Sequence, residues 1–212
     1  MRRILLLFVA MLGLMLLATM PAQAGVVYDN SCGSTGCSNG FNAIGWTIDF
    51  GFAVSDTFID SGQAFSGIDF WVWADPGDSI TDVDWAIGTS AFGNDIASGT
   101  AAVTTTTLFT NNDGYNIQQD WFGIPGLTLN GTYYLTLQNA VVPSGDPIYW
   151  DQSDGPSAAF ESEIGSLANC GEGASTTCSE SFDLTGPEPD TLALIGGGLL
   201  VIGGLIRRKT QR

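Results

Sequence analysis

Two tryptophans with acidic residues close to them form the clearest chemical pattern of the chain. Trp71 and Trp73 alternate with the apolar residues Phe70 and Val72, and a second alternating stretch follows a turn at residues 75–79. If the two stretches pair as a hairpin with Phe70 and Val72 buried, both indole rings face outward. The acidic residues on that outer face are then Asp69, Asp82 and Asp84. Aromatic rings stack on sugars and carboxylates accept hydroxyl hydrogen bonds, so this face is a candidate glycan platform. The alternatives are that the rings lie beneath a neighbouring loop or the second sheet, or that the register is opposite, since large aromatic residues are usually buried.

Acidic residues also concentrate around two predicted turns. Asp75, Asp78 and Asp82 surround the first, and the second is surrounded by Asp146, Asp151 and Asp154. Calcium takes about six to eight oxygen ligands, mostly carboxylates and carbonyls from loops. We therefore treat Asp75, Asp78 and Asp82 as a candidate calcium site, although neither turn matches an EF-hand loop and turn-forming Asp in solvent is the alternative. Apart from this calcium we expect no cofactor.

Basic residues are confined to the two ends of the chain, and this excludes several kinds of catalytic and binding site from the central region. Between Arg3 and Arg207 there is no Lys, Arg or His, whereas 20 of the 22 acidic residues lie within residues 25–186. This composition excludes a Ser-His-Asp triad, an imidazole metal site and a lysine Schiff base in that region. It also argues against nucleic-acid binding, which needs cationic side chains. Carboxylate pairs could in principle hydrolyse a glycosidic bond, but no motif marks one, so we expect a non-catalytic protein with a solvated acidic surface.

Four cysteines lie in two pairs near the ends of the central region, and their positions are Cys32, Cys37, Cys170 and Cys178. In an exported protein they are expected to form disulfides. Local pairing would join each cysteine to its neighbour, whereas either crossed pairing would tie the two ends of the domain together. A zinc site with four cysteine ligands is the other alternative, although the spacings fit zinc poorly. We favour local pairing and leave the connectivity open.

The central region predicts strands rather than helices. Apolar residues occupy alternate positions over residues 44–54, 68–74, 83–87 and 133–137. Turn signals separate such stretches at residues 75–78, 111–114, 130–131 and 144–147. About nine or ten strands of this kind predict an all-β, antiparallel β-sandwich that is jelly-roll-like. Residues 25–186 are long enough for this single domain.

The N-terminal residues have the three parts of a secretory signal peptide. Arg2 and Arg3 precede an apolar stretch, and small residues follow it up to Ala24. We expect residues 1–24 to be a signal helix that is cleaved between Ala24 and Gly25, so that residues 25–186 are exported. An uncleaved N-terminal helix is the alternative.

The C-terminal residues 187–212 also have three parts. An uncharged apolar run at residues 192–206 predicts a transmembrane helix, and residues 207–212 are mainly basic. The polar motif before this run consists of Pro187, Glu188, Pro189, Asp190 and Thr191. Their order resembles the PEP-CTERM sorting domain over residues 187–209. A plain C-terminal membrane anchor is the alternative.

The resemblance to PEP-CTERM proteins implies a destination and a partner. It implies that an exosortase of a Gram-negative bacterium recognises and processes the tail, so that the protein is anchored transiently in the inner membrane and then reaches the cell surface or extracellular matrix. The family context also implies an association with exopolysaccharide. A looser resemblance to ectodomains found with this signal covers residues 70–73, 130–135 and 149–150. That second resemblance implies a β-sandwich and transfers no catalytic residue.

Overall fold

The computed structural model describes residues 25–31, 45–153, 155, 157–162 and 179–186. In these residues every regular element is a strand, and every strand pair is antiparallel. No helix of this part of the chain is long and apolar enough to cross a membrane. The predicted signal helix at residues 1–24, the four cysteines and residues 187–212 lie outside the described residues.

Twelve strands make up the described part of the chain. The first six are β1 (Val26–Asp29), β2 (Trp46–Thr47), β3 (Ala53–Ala74), β4 (Asp82–Gly88), β5 (Ala97–Ala102) and β6 (Thr104–Thr110). The others are β7 (Asn116–Val141), β8 (Tyr149–Trp150), β9 (Gln152–Ser153), β10 (Ala159–Glu161), β11 (Ser179–Glu180) and β12 (Phe182–Thr185).

Two long strands, β3 and β7, pair along nearly their whole lengths and organise the fold. Their register runs from Ala53 opposite Gln138 to Ala74 opposite Asn116, with two irregularities between Ser61 and Gly67. The first half of β3 also pairs with β10, and the second half pairs with β12 and β8. On the other side, the first half of β7 pairs with β6 and its second half with β4, which in turn pairs with β5. Because the two halves of the β3–β7 pair have different neighbours, they can form two layers.

The core lies between these layers. Val83, Trp85 and Ile87 are buried at alternate positions of β4, as their spacing predicted. The rings of Trp85 and Phe122 lie 6.4 Å apart, so β4 packs against the first half of β7, with which it does not pair. This arrangement is consistent with a β-sandwich and confirms the all-β, antiparallel prediction.

The predicted hairpin between residues 68–74 and β4 is wrong, because β7 lies between β3 and β4. The turn itself is present: the Asp78 amide donates to the Asp75 carbonyl oxygen at 3.0 Å, and Gly77 has φ of 99°. After this turn the chain crosses from the start of β7 to its end, where Asp82 pairs with Val141. The turn is therefore a crossover rather than a hairpin.

Two other local predictions are also wrong. The alternating stretch at residues 44–54 is interrupted by a turn in which the Phe52 amide donates to the Asp49 carbonyl oxygen at 2.9 Å. Its central residues, Phe50 and Gly51, have φ of 51° and 89°, a geometry that favours glycine and asparagine over phenylalanine. The predicted turn at residues 130–131 lies inside β7, where Gly131 pairs with Asp60.

Candidate functional site

The predicted glycan platform does not form. Trp71 and Trp73 are only 8% and 7% exposed, because Ile117, Tyr115 and Tyr149 pack over this end of β3. The Trp73 indole nitrogen donates to Asp151 Oδ1 at 2.6 Å. The expectation that both rings are exposed is therefore wrong, and the rings belong to a second small core.

The carboxylates predicted to flank the platform are separated as well. Asp69 is half-buried on β3 and accepts a hydrogen bond from Gln119 at 3.2 Å. Asp82 and Asp84 lie on β4, on the far side of β7. Only Asp84 lines a groove that could hold a ligand.

This groove lies on the outer face of β4, β5 and β7 and encloses about 300 Å³. Its floor consists of small and polar side chains that alternate with core residues, among them Ala86, Ser98, Thr100, Thr136 and Gln138. Trp85 and Gly99 also line the groove.

One wall of the groove is the connection between β4 and β5, which carries Phe92 and Asn94. Phe92 has φ of 60° and is 38% exposed, and its amide donates to Ser55 Oγ at 3.3 Å. This bond ties the connection to β3 across the sheet.

The connection is held at its base too. The Asp95 carboxylate accepts hydrogen bonds from the amide and the hydroxyl group of Thr89, at 2.9 and 2.8 Å. A Cβ on Gly88 would lie 2.4 Å from the Gly93 carbonyl carbon, so only glycine lets the connection pack this closely. The aromatic wall is therefore fixed before any ligand arrives, which reduces the entropy cost of binding.

Asp84 is the carboxylate that the groove presents among its described lining residues. Its Oδ1 accepts a hydrogen bond from the Thr100 hydroxyl at 2.5 Å, and its Oδ2 accepts one from the side-chain amide of Asn139 at 2.9 Å. Hydroxyl, amide and carboxylate groups beside an aromatic ring suit a polyhydroxylated ligand.

A second arrangement, the turn cluster, consists of the carboxylates of Asp75, Asp78 and Asp146, whose nearest oxygens lie within 4.8 Å of one another. The structure thus groups Asp75 and Asp78 with Asp146 rather than with Asp82. Of the other acids predicted near these turns, Asp151 is buried against Trp73, and Asp154 lies outside the described residues.

A third arrangement, the buried carboxyl cluster, consists of Asp56, Asp151 and Glu180, which are at most 1% exposed. Asp56 is its centre: Oδ2 accepts from the Glu180 amide at 2.6 Å and from the Ser157 hydroxyl at 2.7 Å, and Oδ1 accepts from the Thr57 amide at 2.6 Å. Among the described residues, neither carboxyl oxygen of Glu180 has a hydrogen-bond partner. No sequence signal pointed to Asp56 or Glu180.

Burial changes the acidity of this cluster. It raises the pKa of Asp56 and of Asp151 to about 7, against the hydrogen bonds that each carboxylate accepts. The pKa of Glu180 is also raised by burial, and further by the charges of Asp56 and Asp151. Two carboxyls elsewhere behave similarly, since burial raises the pKa of Asp120 and of Asp183 to about 7. Described residues of this domain offer no cation to pair with any of them, so protons neutralise these groups.

Comparison with known proteins adds no further constraint. No protein-family model matches the chain, and no curated protein matches it. The resemblance of residues 187–209 to a PEP-CTERM domain therefore stays a prediction, and the functional argument depends on the residues themselves.

Proposed function

We propose that this protein is an exported, non-catalytic β-sandwich of the cell surface or extracellular matrix, and that its groove binds a neutral polysaccharide. The observation that carries the binding proposal is the fixed Phe92 wall above a floor of hydroxyl and amide groups. A jelly-roll connectivity is part of the same proposal, because such sandwiches commonly present ligand grooves on a sheet face.

Charge supports a neutral polymer over an anionic one. The chain has a net charge of −16, and its six basic residues lie only at the two ends. An anionic polysaccharide would meet Asp84 in the groove without a cation to offset it. Stacking and hydroxyl hydrogen bonds need no charge, so a shallow site of this type would bind at roughly 10⁻⁵–10⁻³ M.

The groove supports binding better than hydrolysis. Glycoside hydrolysis normally requires two carboxyl groups that flank the scissile bond. Asp84 is the lining carboxylate among the described residues of the groove, and Thr100 and Asn139 already engage both of its oxygens. We therefore propose that the protein has no enzymatic activity.

The sorting proposal depends on residues 187–212 alone. The Pro-Glu-Pro motif, the apolar run and the basic residues support recognition by an exosortase, transient anchoring in the inner membrane and release to the surface. Mass spectrometry of the native protein should find a chain that ends near residues 187–191. A mature chain that still carries Arg207–Arg212 would reduce the tail to a plain membrane anchor.

The binding proposal can be tested with two matched variants of the full chain in a non-ionic detergent. Phe92→Ala removes the groove wall, whereas Phe50→Ala removes another exposed phenylalanine with positive φ that lies outside the groove. Affinity gels that contain neutral β-glucan, mannan or galactan should retard the wild type and Phe50→Ala, and Phe92→Ala should migrate as in a blank gel. Equal retardation of both variants, or none for the wild type on any polymer, would contradict the proposal.

A further inference from the structure

The turn cluster lies where two connections of the chain meet. Asp75 and Asp78 belong to the crossover between β3 and β4, and Asp146 belongs to the connection between β7 and β8. The two connections are far apart in sequence, yet three carboxylate oxygens converge within 4.8 Å. Three negative charges at this separation repel one another unless a cation or solvent screens them.

Two buried side chains beside the cluster have oxygens without partners. Gln118 is 1% exposed; its amide nitrogen donates to the Asp78 carbonyl oxygen at 2.6 Å, and its Oε1 has no partner. Asp49 is 5% exposed and its Oδ1 has no partner. Asp49 and Asp146 line the same small cavity of about 220 Å³, which therefore adjoins the turn cluster.

Asp49 and Asp75 also share a neighbour, Tyr149. Burial, the Tyr115 hydroxyl and the carboxylates of Asp49 and Asp75 together raise the pKa of Tyr149. Both acids therefore act on one phenol, and the whole region is rich in oxygen atoms and negative charge. No basic residue between Arg3 and Arg207 is available to neutralise it.

We propose that Asp75, Asp78 and Asp146 bind one calcium ion, next to the cavity that Asp49 lines. Carboxylate oxygens from loops are the ligands that calcium prefers, and its flexible geometry tolerates ligands from two separate connections. Magnesium is disfavoured, because it demands near-octahedral geometry and gives up its water reluctantly. The ion joins the β3–β4 crossover to the β7–β8 connection, a role that is separate from the groove.

Terbium is a direct probe of this site, because it replaces calcium and its emission is sensitised by nearby aromatic side chains such as Tyr149. The full chain in a non-ionic detergent should show saturable terbium emission that excess calcium abolishes and the same concentration of magnesium does not. Calcium titration should give one ion per chain with a dissociation constant of roughly 10⁻⁴–10⁻³ M.

Two variants with the same charge change separate a specific site from a diffuse acidic surface. Asp146→Asn removes one ligand, whereas Asp113→Asn removes an exposed acid of the turn at residues 111–114. We expect Asp146→Asn to weaken calcium binding at least tenfold and Asp113→Asn to change it less than twofold. Similar weakening by both variants, non-saturable emission, or equal competition by magnesium would overturn the proposal.

Discussion

The turn cluster and the buried carboxyl cluster each contain three acidic residues, but they lie in opposite environments. Asp75, Asp78 and Asp146 are half-buried or exposed at a turn, whereas Asp56, Asp151 and Glu180 are buried against the strands. In water a carboxylate keeps its charge and can attract a cation. In the interior the charged form is disfavoured, so the group takes a proton instead. Position, and not residue type, therefore decides how this cation-free domain neutralises its acids.

The largest expected effect is that of pH on the buried acids. The pKa of four buried carboxyls rises from 3.8 to about 7 on folding, and these are Asp56, Asp120, Asp151 and Asp183. A raised folded-state pKa stabilises the protein fully below the unfolded pKa, and this stabilisation is lost as pH rises through about 7. Each group contributes up to about 4 kcal/mol, so the free energy of unfolding should fall by several kcal/mol between pH 5 and pH 8.

Denaturant unfolding of the full chain at these two pH values measures the difference. Asp29 and Asp95, whose pKa values are lowered by hydrogen bonds with Ser31 and Thr89, are ionised at both pH values and do not contribute. Equal or greater stability at pH 8 would show that something other than protons neutralises the buried acids.

The next largest effect is expected when the Asp56 carboxylate, at the centre of the buried carboxyl cluster, is removed. Asp56→Ala leaves the buried amides of Thr57 and Glu180 and the Ser157 hydroxyl without their acceptor. We expect a loss of about 3–5 kcal/mol at pH 5, since each buried unsatisfied group costs about 1–3 kcal/mol. Asp113→Ala, at an exposed turn, should cost less than about 0.5 kcal/mol. Similar costs for both variants would remove the distinction between buried and exposed acids.

Substitution of Asp120 should change the free energy of unfolding less than Asp56→Ala does, and in the opposite direction. It is fully buried, and a hydrogen bond with Thr105 does not offset the effect of burial on its pKa. Asp120→Asn removes the charge without removing volume, so it should stabilise the protein by about 2–4 kcal/mol at pH 8 and by less than half as much at pH 5. Unfolding curves of the variant at both pH values should therefore lie closer together than those of the wild type. An unchanged gap would mean that Asp120 does not titrate in this range.

Calcium should act on the turn cluster and leave the buried cluster alone. At a calcium concentration about 100 times the dissociation constant, a ligand that binds only the folded state stabilises it by about 2.7 kcal/mol. The increase should fall below about 1.4 kcal/mol in Asp146→Asn, because binding is at least tenfold weaker, and it should be intact in Asp113→Asn, as measured by thermal unfolding at pH 8. An increase in Asp146→Asn equal to that of the wild type would place the ion elsewhere.

Alternation in the sequence predicted part of this fold well and another part poorly, for one physical reason. The spacing of Val83, Trp85 and Ile87 predicted their burial correctly, because the other face of β4 is open to the groove. The same reasoning failed for Trp71 and Trp73, because residues from β7 and β8 cover the second face of β3. A strand pattern shows which residues share a face and does not show what covers that face.

The candidate sites show the same limit. Asp75 and Asp78 were recognisable because they lie in one turn, but their partner Asp146 comes from a connection that only the three-dimensional fold brings near. The groove is lined by threonine, serine and glutamine on strands that have no motif, and its wall depends on the left-handed backbone at Phe92. Neither the approach of Asp146 to that turn nor the groove leaves a signal in local composition or spacing.

The most direct test of the proposed function is to fill the groove without touching the core. Ser98 is exposed on β5 and lines the groove, and Thr106 is exposed on β6 outside it. Calorimetric titration with fragments of the retarding polysaccharide should give a dissociation constant of roughly 10⁻⁵–10⁻³ M for the wild type and for Thr106→Trp. No measurable binding is expected for Ser98→Trp at an unchanged melting temperature. Wild-type affinity in Ser98→Trp would contradict the assignment of the groove as the polysaccharide site.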